Sequence, residues 1–339
     1  MRFAAAALAA MLLVACPIHG HEGWGVVIHD RLGIVVSDIP GNTVWRIVGN
    51  RVEPLVRSIH SHQLVSGSDG AIYGTNVEPD GKLTSVWRVD SAGRFSYVLP
   101  PASDSPLGLQ SFLITDDGTI YTTNRYDHKR PTIVLLKREP DGRISNVAGA
   151  AQGFADGVGV NARFGGIDGM RQAADGTLVV ADGAHLRTIT QDGHVSTVTS
   201  PLTSRRWGED LLGISSIRTG TVFVADHAGR RVLRVRLANM QVEEIDRSDF
   251  LWAPAGVELT QRDMYVLEHL RPPLSMLGDL QIGPYLRVRR VEPGRSSTTL
   301  ALVWGRHSRK AAAGIVAFAL LTIWAGNRLR LRRLRRTVG

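Results

Sequence analysis

Between residues 24 and 305 the chain alternates apolar and polar positions in short runs separated by Gly- and Asp-rich turns, and no stretch carries the apolar spacing of an amphipathic helix. One run returns six times, as an apolar strand closing on a short polar residue. Its copies are 34–38, 72–76, 120–124, 178–182 and 222–226, ending on Asp38, Asn76, Asn124, Asp182 and Asp226. The sixth, 265–269, closes on Glu268 and His269 instead, and the spacings between endings are 38, 48, 58, 44 and 43. Asp-Gly pairs at 69–70, 117–118 and 175–176 precede three copies and suit tight hairpins that need φ > 0. Alternating strands follow at 44–47, 86–89, 232–235 and 286–289, with an apolar core face and an Arg-bearing outer face. Fourth strands read at 94–98, 143–147 and 194–198. Four antiparallel strands repeated six times at this period predict an all-β fold, a six-bladed β-propeller over residues 24–305.

The fourth unit carries a more specific pattern. Gly153, Ala155, Asp156, Gly157, Gly159, Ala162 and Phe164 fall in the order G-x-A-D-G-x-G-x-x-A-x-F ahead of an inner strand. This resembles an NHL repeat, and the likeness is degenerate in the other five units. The glycines allow a tight inter-blade loop, and Phe164 is expected to anchor between blades. The resemblance implies a propeller of NHL/TolB-like architecture that binds ligands or partners; it implies no single chemistry. The Asp and Asn strand endings are expected to bond the backbone of the following turn.

The ends predict export and anchoring. Residues 1–16 read as a signal peptide: Arg2, an apolar stretch too short to span a bilayer, then Leu13-Val14-Ala15-Cys16. That close resembles the lipobox of bacterial lipoproteins and makes Cys16, the chain's one cysteine, a lipidation candidate; an ordinary cleaved signal is the other reading. One cysteine excludes a disulfide framework and a Cys-based zinc site. Residues 311–326 are apolar and uncharged, and a span over 311–327 would cover roughly 24 Å as a helix, a thin crossing. The tail 328–339 holds six Arg, which places the C-terminus in the cytoplasm and the propeller on the extracytoplasmic, periplasmic side of a single-pass protein. The formal charge of +9 lies entirely in nine basic residues from Arg306 onward. The body is neutral, so nucleic acid is excluded as a partner. A membrane-proximal envelope protein or a glycan is expected instead.

Candidate chemistry lies at a mouth of the central channel, where innermost strands begin. Counting fourteen residues back from each strand ending gives Trp24, His62, Gln110, Asp168, Leu212 and Ala255. His60 lies two positions before His62 on the same strand face. His60, His62 and Asp168 are candidate ligands for a divalent metal, calcium or zinc, with Gln110 binding ligand, substrate or water. The plainer reading is a polar, water-filled channel. Two patterns from enzymes of related architecture are not met. Gluconolactonase-like propellers use a Glu in the first inner strand, where this chain has Trp24-Gly25-Val26, and only Asp168 matches their later Pro-Asn-Asp element. Lyases that cleave peptidyl hydroxyglycine use several His on zinc, and no third His falls in the column. His29, His128, His185, His194 and His227 are read as mostly solvated. Glu268-His269 is expected to start a long loop, with Leu274, Met276, Leu277 and Leu280 making it apolar.

The chain is therefore expected to be a membrane-anchored binding or scaffolding module with no catalytic residue assigned. The alternative is a metal-dependent lactone or ester hydrolase, or lyase, at the channel mouth.

Overall fold

The computed structural model describes residues 23–78, 83–125, 129, 131–203, 211–271, 283–292, 297–305 and 307. The signal segment 1–16 with Cys16, the apolar run 311–327, the basic tail 328–339, His128, and Leu274, Met276, Leu277 and Leu280 lie outside the described residues. No helix among the described residues is long and apolar enough to cross a membrane.

Six antiparallel meanders follow one another along the chain, each written here from its innermost strand outward. Blade 1 is β1 (Val26–His29), β2 (Gly33–Asp38), β3 (Thr43–Val48) and β4 (Arg51–Arg57). Blade 2 is β5 (Leu64–Ser66), β6 (Ile72–Val77), β7 (Thr84–Val89) and β8 (Phe95–Ala102). Blade 3 is β9 (Leu107–Ile114), β10 (Ile120–Asn124), β11 (Thr132–Arg138) and β12 (Ile144–Ala151). Blade 4 adds a short outermost strand, β13 (Gly157–Val158), to β14 (Ile167–Gln172), β15 (Leu178–Asp182), β16 (His185–Ile189) and β17 (His194–Thr197). Blade 5 is β18 (Leu211–Ile214), β19 (Thr221–Asp226), β20 (Arg231–Arg236) and β21 (Gln241–Arg247). Blade 6 is β22 (Trp252–Leu259), β23 (Met264–Leu270), β24 (Pro284–Val291) and β25 (Thr298–Trp304). The expected second and third strands fall inside these elements, and each expected fourth strand matches its element to within one residue at one end.

Alternation sends one side of a strand into the gap before its blade and the other into the gap after it, as Val36 and Val35 show, and the core is a ring of such gaps. Val44, Leu64 and Trp87 fill the gap between blades 1 and 2. Phe112, Leu135, Phe164 and Met170 fill those from blade 2 to blade 4, and Phe164 is fully buried there as expected. Leu186 and Leu233 join blades 4 and 5, and Val232 and Val257 join blades 5 and 6. Val26, Val36, Leu286 and Val303 close the circle between the first and last blades. Among the described residues no strand is exchanged at that seam; Tyr285 donates to Asp38 Oδ2 at 2.7 Å and His269 Nε2 meets Gly23 O at 3.0 Å.

Innermost strands begin, and fourth strands end, on one face of the disc, here the upper face. Both ends of the propeller, Gly23 and Gly305, leave from it, and a bond from Gly305 N to Gly283 O, 2.9 Å, holds the second in place. The lower face carries the Asp-Gly turns, where Gly118 and Gly176 take φ of +84° and +85° that a β-carbon would strain. In these turns Asp117 and Asp175 accept from the N–H two residues on, at 3.0 and 2.9 Å.

Candidate functional site at the channel mouth

The column of candidates does not stay level around the ring. Blades 1 and 2 pair their first two strands without a shift, but the inner strands of blades 3 to 6 are bulged. The residues opposite Asn124, Asp182, Asp226 and His269 are therefore Leu107, Ile167, Leu211 and Ala253, and not Gln110, Asp168, Leu212 and Ala255. A bulge inserts a residue on one strand only, so a fixed offset drifts. In blade 3 the extra length is taken at Leu109, buried with φ of +60°, and Gln110 beyond it is exposed. Asp168 is half-buried within the bulge of β14.

His62 is buried, and its carbonyl accepts from Trp24 N at 2.9 Å, Gly25 N at 2.8 Å and Ser37 Oγ at 3.1 Å. Its ring lies between Trp24 and His60, with centroids 5.1 Å from each. His60 is half-buried; its N–H donates to Asn76 Oδ1 at 2.7 Å, and ring Nδ1 lies 3.3 Å from Asn42 Oδ1. The structure thus brings His60 and His62 together on blade 2. Among the described residues no group of three or more His, Cys, Asp or Glu side chains is placed to hold a metal ion. The backbone bonds of His62 draw it toward blade 1, while the bulge of β14 sets Asp168 out of register.

Below the mouth the inner ends of the blades are tied to one another. Gln63 is buried and reaches across from blade 2 to donate to Met170 O of blade 4 at 2.9 Å, while its Oε1 accepts from Trp24 Nε1 at 3.4 Å. Ser111 Oγ donates to Ile167 O at 2.6 Å. The inner strands approach backbone to backbone: a β-carbon on Gly213 would stand 2.7 Å from Ala255 O, and one on Gly256 would stand 2.4 Å from Trp24 O.

Two histidines read from sequence as solvated or as the start of a loop are buried at this mouth. His227, just past β19, has Nδ1 3.1 Å from Pro254 O, and His269 lies inside β23 against Gly23 O. Both acceptors are carbonyls, so the ring N–H donates and fixes the tautomer. Burial, reinforced by the neighbouring His227, lowers the pKa of His269 to about 4 against the pull of Gly23 O, so the imidazole is neutral near pH 7. The signal available in sequence was their place at the end of the second strand, Asp226-His227 and Glu268-His269. Glu268 is also buried within β23, accepting from Ser248 Oγ and Arg287 Nε, both at 2.5 Å, and paired with Arg289 at 2.9 Å.

The strand-ending carboxylates and amides serve the fold in more than one way. Asp38 and Asp226 accept from Gly41 N and Gly229 N of the following turn, as expected. Asp182 and Asn76 instead accept from the preceding linker, at Gly165 N and Gly166 N and at His60 N. Asp182 also holds Arg187, which is fully buried and donates to Asp182 Oδ2, Arg163 O, Ala155 O and Asp156 Oδ1 at 2.6–2.8 Å. Asp156 accepts in turn from Thr197 N and Oγ1, which clamps the glycine-rich linker onto the edge of blade 4. The NHL-like pattern is thus an arginine-locked linker.

No protein-family model matches the chain, and no curated protein matches its sequence. Solved structures of similar shape include a streptogramin B lyase, 13% identical, with TM-score 0.52 and 84% of each chain covered. A putative gluconolactonase is 14% identical, with TM-score 0.52, over 72% of this chain and 85% of its own. A gluconolactonase from Xanthomonas campestris is 13% identical, with TM-score 0.52, over 73% of this chain and 83% of its own. Identities this low carry the fold alone. On its own geometry and on these likenesses, the chain is a six-bladed β-propeller.

Proposed function

We propose that this protein is a binding or scaffolding module, held at the extracytoplasmic side of a membrane by its C-terminal apolar run and engaging a membrane-proximal protein or glycan through its upper face. The observation that carries the reading is the use to which the mouth is put. The His62 carbonyl, the Gln63 amide, His227 and His269 all bond backbone of another blade or of the next strand, and they tie the ring together at its axis. Ligand contact is left to the surrounding rim, where Gln110 and the linkers between blades are exposed. The anchor rests on sequence: the uncharged run 311–326 and the six Arg after it.

The second reading is a metal-dependent hydrolase or lyase. Histidines from blades 2, 5 and 6 around one mouth favour it, as does the shape shared with lyase and gluconolactonase propellers. His60, His62 and Asp168 would be its ligands. Metal content and turnover on the full chain, purified without chelator, separate the two. The binding reading expects metal well below one per chain and no turnover of lactones or esters. About one calcium or zinc ion per chain, lost together with turnover in His62→Ala, would overturn it.

A further inference from the structure

Three large apolar side chains stand out of the upper face close to where the chain leaves it. Phe250 is 75% exposed and Leu251 44%, in the linker entering blade 6, and Trp304 is 60% exposed at the end of that blade's outermost strand. Their neighbour Trp252 is buried under the Arg287 guanidinium, which also pairs with Asp249 at 2.8 Å, so the linker is fixed and the rings beyond it are not taken up by the core. We propose that the upper face rests on the bilayer, with Phe250, Leu251 and Trp304 seated in the headgroup layer and the lower face turned away from the membrane.

The inference rests on the C-terminal anchor proposed above and adds the orientation of the domain. Five residues, 306–310, separate Gly305 from the apolar run. At no more than about 3.6 Å per residue, that tether holds Gly305 within about 20 Å of the hydrocarbon boundary. The headgroup layer takes up several ångströms of this, so the face that Gly305 leaves cannot swing far from the lipid. Gly23 leaves from the same face, so a lipid on Cys16 would pull in the same sense. Trp and Phe suit the boundary between headgroups and chains, and Arg306, Arg309 and Lys310, which follow Gly305 in the sequence, suit anionic lipid. On the lower face Met240 is as exposed as Trp304 but lies in a turn far from either chain end.

The test uses the full chain with Cys16→Ser, so that one engineered cysteine carries an environment-sensitive dye, reconstituted with vesicles of phosphatidylethanolamine and phosphatidylglycerol. Dyes are placed by Phe250→Cys, Trp304→Cys and Met240→Cys, exposed sites that leave the core alone. Flotation reports the anchor; quenching by a lipid-borne quencher reports the rim. Flotation with several-fold stronger quenching at 250 and 304 than at 240 is the expected result. Flotation with equal quenching at all three would overturn the orientation and leave the anchor standing. Failure to float would overturn both.

Discussion

His269 shows how one side chain is shaped by its place at the axis. Its pKa of about 4 lies below the ordinary imidazole value because burial disfavours the cation. The unfolded chain therefore binds a proton before the folded one does. Stability from this residue is intact above about pH 6.5 and falls as pH drops toward 4, by up to about 3 kcal/mol. Asp38 acts in the opposite sense, since burial raises its pKa and the folded state gains as pH falls through that raised value. Urea unfolding between pH 7 and 4 should show the loss, and His269→Gln, which keeps a donor for Gly23 O, should flatten it. At Gly213 the constraint is steric. Gly213→Ala drives a methyl into Ala255 O and Gly256 Cα and should cost about 1–3 kcal/mol or more, read as a fall in thermal midpoint. The glycines at 169, 213 and 256 were the sequence's own sign of close approach in the inner strands. The burial of His227 and His269 was signalled only by their place at the end of the second strand, where a polar residue reads as solvent-facing until the neighbouring blade is in place.

At the scale of the element, the second strand of each blade was the most legible, since its apolar run recurs six times and closes on Asp or Asn in five of them. The bulges were not legible. Extra residues within β9 (three, around Leu109) and β14 (one, at Asp168) disturb neither composition nor the run of apolar positions, yet they change which residue of the inner strand stands opposite the strand ending. That displacement is why Gln110 and Asp168 fell out of the column that His62 occupies. The arginine-locked linker of blade 4 gives this scale its prediction. Arg187→Met leaves Asp182 buried without its partner and should cost about 3–5 kcal/mol. Arg187→Lys should recover little, because one ammonium cannot reach the four acceptors that the guanidinium spans. Asp156→Asn should cost less while speeding amide exchange over residues 153–164, measured by hydrogen-exchange mass spectrometry.

For the whole molecule, closure depends on side chains, because each blade is built from its own consecutive strands. The seam between blades 6 and 1 is held by an apolar cluster and by the Tyr285–Asp38 and His269–Gly23 bonds. Tyr285→Phe removes a donor from a buried carboxylate that also accepts from Trp45 Nε1 and Gly41 N. It should lower stability by about 1.5–3 kcal/mol in denaturant titration and raise protease sensitivity near the seam first. A ring whose inner residues tie blade to blade, and whose seam is sealed, leaves its faces as the working surfaces. The reading of this chain as a binding module stands on that. Its most direct test is site-specific photo-crosslinking of the full chain in its own membrane, with a benzophenone side chain at Gln110 on the mouth or at Met240 on the opposite face. One recurrent adduct with a membrane-proximal protein or glycan from position 110, and none from 240, is the predicted result. No adduct at 110, or equal labelling from both faces, would contradict it.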